Sequence, residues 1–181
     1  GNFDPVVVSK MIQEHFGKVH DGNPIPKMYT DEPVQTGQRR VLVKRPSKTS
    51  LMGIAFKCVH GLHKDAIAFT VLQRMLGTPK TNPFEDLKMK GIVHDVMPSF
   101  ERMRDPYLFQ IWVTTNRPTE ASLTQAEEAV FETLHSFEVQ SKHVEQAKKS
   151  IENAWNEELE STRSMAMAIN EAIARGDAFD V

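Results

Sequence analysis

The chain has 181 residues, is 40% hydrophobic and 25% charged, and carries a formal net charge of −2. A chain of this length buries about 70% of its unfolded surface, so it needs no covalent staple and makes one domain, or one domain with a flanking piece. Its acids and bases are interspersed, which argues against a nucleic-acid module with a basic face, and no apolar run approaches the ~20 residues of a membrane span.

In chain order, Asp4-Pro5 starts a helix: Asp4 can cap, and Pro5 suits the first helical position. Val7, Met11, Ile12 and Phe16 continue an apolar stripe up to Gly17. Residues 18–37 hold Pro24, Pro26 and Pro33 with Gly22 and Gly37, and read as an ordered linker crossing the surface between two units. Arg39 to Arg45 reads as a strand that Pro46 stops, because proline has no N–H for a ladder. Leu51 to Val59 reads as a second strand, apolar enough to lie inside the sheet. Cys58, the only cysteine, excludes an intrachain disulfide and reads as a small buried hydrophobe. From Lys64 to Leu76 the apolar period rises from two to ~3.6, with Ile67, Val71, Leu72 and Met75 on one face. Gly77 stands where a left-handed cap would end that helix.

After a loop over 78–83, Asn82 or Thr81 can cap a short helix running through Lys90 to Gly91. Ile92 to Phe100 and Tyr107 to Thr115 follow as strands, joined by a polar turn that makes a hairpin. In the second, Tyr107, Phe109, Ile111 and Val113 share one face, and Leu108, Gln110, Trp112 and Thr114 the other. The rest is helical. Leu123, Ala126, Val130, Leu134 and Phe137 mark one helix. Ser141 caps the next, with a stripe of Val144, Ala147, Ile151, Ala154, Trp155 and Leu159. Ser164 to Ala174 makes the last, with Met165, Ile169 and Ile173 inward and Gly176 closing it. Trp112 and Trp155 read as core or half-core, and Arg102/Arg104 and Lys148/Lys149 as solvated faces. The order points to an α+β fold, an antiparallel sheet with helices packed on one face.

Several signatures occur in register. Gly1-Asn2-Phe3-Asp4-Pro5 precedes the first helix. Pro24-Ile25-Pro26 and Glu32-Pro33-Val34-Gln35-Thr36-Gly37-Gln38-Arg39-Arg40-Val41 lead into the next unit. Ala55-Phe56-Lys57, then Asp65-Ala66-Ile67-Ala68 with Val71-Leu72, precede Gly77, and Arg104-Asp105-Pro106-Tyr107-Leu108-Phe109 forms the hairpin. Together they resemble the pitrilysin/insulinase family of zinc metallopeptidases, which includes the processing peptidases. A subunit of that family contains two similar α/β units. The resemblance implies that 1–17 is the tail helix of an upstream unit, 18–37 a linker, and 38–181 the second unit without its last elements, so that the sequence is truncated at both ends.

The family's zinc site is an inverted H-x-x-E-H on one helix, whose two His share a face while the Glu activates the metal-bound water. His135-Ser136-Phe137-Glu138 begins that pattern, but Val139 stands where the second His belongs. His60 and His63 are a close pair without the Glu, most simply a surface pair. The resemblance therefore places zinc in the parent protein but on the upstream unit, in the same chain or a partner subunit. This segment alone is expected to be inactive. What the second unit contributes is substrate binding, through a basic residue and a tyrosine facing the zinc. Lys88 or Lys90 stands near the first position and His94 at the second; a solvated helix-end Lys and a polar strand His are the plain alternatives. The implied function is the C-terminal, substrate-facing domain of a zinc metalloendopeptidase acting on peptides. The competing one is a non-catalytic scaffold or chamber subunit. Exposed sheet edges also lead us to expect self-association into a homo-oligomer.

Overall fold

A computed structural model describes residues 2–20, 22–24 and 33–176, apart from the side chain of residue 175. Much of the expected linker lies outside the described residues, including Pro26 and Glu32, as does the C-terminal end after Gly176. Two compact units are distinguished, Gly1–Lys44 and Arg45–Val181.

The first unit holds helix α1 (Pro5–Phe16), with Pro5 in its first turn. Asp4 caps it, its Oδ1 accepting from the N–H groups of Val6 at 2.8 Å and Val7 at 3.3 Å. Farther on, the expected strand over Arg39–Arg45 does not form. Residues 38–47 take no regular structure and are exposed, Val41 to 86%. The alternation there suits a strand, but alternation alone does not make one, because a strand is held by its ladder.

The second unit runs β1 (Ser50–Lys57), α2 (Ala66–Gly77), α3 (Glu85–Met89), β2 (Asp95–Phe100), β3 (Leu108–Thr115), α4 (Glu120–Ser136), α5 (Ser141–Leu159) and α6 (Thr162–Arg175). The described sheet is antiparallel, in the order β1-β3-β2. β1 is therefore an edge strand, not the interior strand its apolarity suggested. Leu51 and Phe56 are correspondingly exposed. An apolar run reports burial in general, and only pairing decides which strand is central.

Opposite residues in an antiparallel pair share a face. One face carries Met52, Ile54 and Phe56 of β1, Val96 and Phe100 of β2, and Phe109, Ile111 and Val113 of β3. All of these except Phe56, which is exposed, pack with Ala66 and Leu76 of α2, Leu87 of α3, Phe84, and Ala126 and Val130 of α4. Phe69 of α2 joins the ring cluster, 5.4 Å from Phe100 and 6.1 Å from Phe109 between centroids. Helix α5 packs on α2, and α6 on α5.

The helix termini show which local signals acted. Thr119 caps α4 by accepting from Ser122 N–H, and Ser161 caps α6 by accepting from Ser164 N–H. Gly176 ends α6 in the left-handed region at φ 84°, as its position implied. Gly77 does not end α2 that way: it is the last helical residue, and Thr78 leaves in an extended conformation. Gln140, not Ser141, is the N-cap of α5, and Phe84 that of α3; neither makes a side-chain cap bond. Asn82 Oδ1 instead accepts from Phe84 N–H at 2.9 Å, while the Thr81 hydroxyl donates to Met75 C=O at 2.7 Å and ties the loop to α2.

Several stripe assignments change. Ile67 is 66% exposed, and Ala66 and Leu76 take the buried positions of α2. Trp155, Met165, Ile169 and Ile173 are exposed; within the second unit α5 packs on α2 and α6 on α5, away from the sheet. Arg102 is not merely solvated: its Nε donates to Gly61 C=O at 3.0 Å. Gly61 N–H in turn donates to Met103 C=O at 2.7 Å. A Cβ on Gly61 would stand 2.9 Å from that carbonyl oxygen, so glycine permits the approach.

Candidate functional site

The face of the sheet away from the helix-packed core is built from alternate residues of the three strands. In rows across β1, β3 and β2 it reads Leu51–Thr114–Asp95, Gly53–Trp112–Met97 and Ala55–Gln110–Ser99, followed by Lys57–Leu108. Leu51 is 61%, Met97 50% and Trp112 37% exposed. The absent side chain of Gly53 lets the Trp112 ring lie against β1; a Cβ there would come within 2.9 Å of Trp112 Cζ3. Trp112 Nε1–H donates to Gln110 Oε1 at 2.9 Å, and Gln110 Nε2–H donates to Tyr107 Oη at 3.4 Å. The ring therefore sits in a defined place while part of its surface stays open.

Helix α3 delivers Lys88 to the rim of this face. Leu87 is buried, which turns the next residue toward β2. Lys88 Nζ lies 2.6 Å from Asp95 Oδ1 and 4.0 Å from Glu85 Oε2. The hydrogen bond from Lys88 holds the Asp95 carboxyl below the usual carboxylate range, against the partial burial that pushes it up. His94, just before β2, is exposed; its backbone N–H donates to Thr114 C=O at 2.7 Å, and its ring adds a smaller electrostatic pull on Asp95. Lys90 is the exposed C-cap of α3. Of the sequence candidates, Lys88 and His94 thus converge on Asp95, and no described contact ties Lys90 to them. Thr114 Oγ1, on the same face, is buried without a described hydrogen-bond partner.

Asp95 and Thr114 were not singled out in the sequence. Gly53 could have been, since a glycine inside a strand marks a close approach.

Other groups are chemically quiet. Cys58 is half-buried, and burial pushes its thiol pKa up, away from the nucleophilic thiolate. His60 and His63 stack edge to face at 5.6 Å, and His63 Nδ1 accepts from Asp65 N–H at 3.2 Å. Among the described residues, no group of three or more His, Cys, Asp or Glu is placed to hold a metal ion, so these residues do not fit a zinc site. No described helix is long and apolar enough to cross a membrane.

Compared with known proteins, the fold is similar to the crystal structure of a protease from Helicobacter pylori, with a TM-score of 0.79 and 22% identity. That likeness covers 98% of this chain and 44% of the protease chain, so the sequence spans less than half of that protein. None of the curated proteins compared with it matches. The family pattern described as the peptidase M16 inactive domain matches residues 1–158. That match extends over most of the chain, from the Asn2-Phe3-Asp4-Pro5 corner through the sheet and into α5, and by it the chain belongs to the peptidase M16 family, as its inactive domain.

Proposed function

We propose that this chain is the substrate-facing C-terminal domain of a zinc-dependent metalloendopeptidase, with the zinc on an upstream unit in the same chain or a partner. The asymmetry of the sheet carries the reading. One face is packed under helices, while the other presents Leu51, Met97 and Trp112 with Lys88 at its rim. An extended peptide can lay apolar side chains on that face, and an ammonium can donate to the peptide's carbonyls. His94, next to Asp95 in the chain and exposed, offers a second polar group. No catalytic step falls to the residues described here; their part is to bind and orient peptide.

The test compares this chain with the longer parent. The chain alone should bind an extended apolar peptide, take up no stoichiometric zinc by elemental analysis, and cleave nothing. The parent should bind the peptide, take up zinc and cleave. Metal-dependent cleavage by the chain alone would overturn the assignment.

A second reading is a non-catalytic scaffold subunit. The observation favouring it is that Lys88, one of the two lysines near the family's arginine position, is already engaged by Asp95, and lysine lacks arginine's planar fork for two carbonyls. A parent sequence with a degenerate H-x-x-E-H upstream would decide for the scaffold, and an intact one for the peptidase.

A further inference from the structure

Building on that reading of the open face, we propose that Asp95 determines which peptides the face accepts. By holding and neutralising Lys88, it makes the ammonium a donor to neutral backbone carbonyls and turns away acidic side chains and free carboxylates.

The charges around Lys88 support this. Nζ is 2.6 Å from the Asp95 carboxylate and 4.0 Å from that of Glu85, so two carboxylates surround one ammonium. An incoming carboxylate meets a local excess of negative charge where an isolated lysine would attract it. An ammonium has three N–H donors, and the Asp95 bond leaves others for a carbonyl. Thr114 Oγ1 lies directly across from Asp95 on the same face, buried and without a described partner. That oxygen has no exposed surface, so the donor that an entering carbonyl meets is the Lys88 ammonium. The remaining titratable group acting on Asp95 is His94. Lys57 is at the opposite end of the face, paired in register with Leu108, too far along β1 to compensate. The adjoining row, Gly53–Trp112–Met97, is apolar. The class of ligand is thus an extended, uncharged or basic internal peptide segment.

The experiment uses the chain and two peptides of one extended apolar sequence, one carrying Gln and an amidated C-terminus, the other Glu and a free carboxylate. Binding is read by fluorescence anisotropy at low salt. Wild type should prefer the neutral peptide by about tenfold, and Asp95→Asn should bring that ratio to about one or invert it. Asp95→Glu should retain the preference. In a Lys88→Gln background, Asp95→Asn should raise affinity for the acidic peptide by less than it does with Lys88 present, because only repulsion is removed and no ammonium is released. A salt series on wild type gives a measure independent of how the variants fold: the preference should shrink as ionic strength rises. An unchanged ratio in a folded Asp95→Asn, with both peptides still bound, would overturn the role of Asp95 and leave the open face as a peptide site. Failure of wild type to bind either peptide would overturn both.

Discussion

Along β3, Phe109, Ile111 and Val113 lie under helices and are buried, whereas Trp112, one residue from two of them, looks onto an uncovered surface. The two faces also differ in chemistry. The covered face is mainly aliphatic and aromatic, with Thr115 a buried polar residue at its end. The open one mixes Leu51, Met97 and Trp112 with Gln110, Ser99, Thr114 and the Lys88–Asp95 pair. A strand's two-residue period lets one segment serve both tasks. Stability is concentrated on one face, leaving the other free to carry recognition.

Substitutions should separate the two faces, and the largest effect belongs to the covered one. Ile111→Ala removes a side chain that is 1% exposed and should cost about 3–4 kcal/mol in denaturant unfolding, from lost transfer energy plus a residual cavity. A loss below about 1 kcal/mol would mean that the core lies elsewhere. Trp112→Ala should cost about 2 kcal/mol of stability, less than the core substitution because the residue is 37% exposed, yet lower peptide affinity about tenfold, as central aromatic contacts do. Equal damage to stability and binding would erase the distinction between the faces.

Gly53→Ala sharpens the comparison further. The added methyl meets Trp112 Cζ3 at 2.9 Å, and a half-open ring can swing aside, so the cost should be about 1 kcal/mol or less. The displaced indole should show as a change in tryptophan emission and weaker peptide binding. The smallest effect concerns acid. The Asp95 carboxyl is held below its unfolded value by Lys88, so its stabilisation is present above the unfolded pKa and is lost as pH falls through the folded one. Between about pH 4 and lower values, wild type should therefore lose its advantage over Asp95→Asn, an advantage of no more than about 1 kcal/mol for so exposed a pair. An advantage constant down to pH 2 would contradict the ion pair.

Much of the covered face was legible in advance. The alternation of Phe109, Ile111 and Val113 and the helical spacing of Ala126 and Val130 each named a buried stripe, and the structure packs them together. The open face was legible only as a mixed one. Lys88 and His94 came forward through resemblance, but their meeting point, Asp95, did not, because an aspartate at a strand's start carries no local signal of a lysine seven residues earlier.

By itself, then, the sequence determined the helices of the second unit, its hairpin strands, the composition of the covered face and the kinship with a peptidase family. Those follow from short-range periodicity and from motifs in order. Tertiary structure alone decided that β1 is an edge, that Arg39–Arg45 forms no strand, that Ile67, Trp155 and Ile173 face outward, and that Lys88 is matched by Asp95. The physical reason is common to all four: periodicity states which residues share a face, and only packing supplies what lies opposite it.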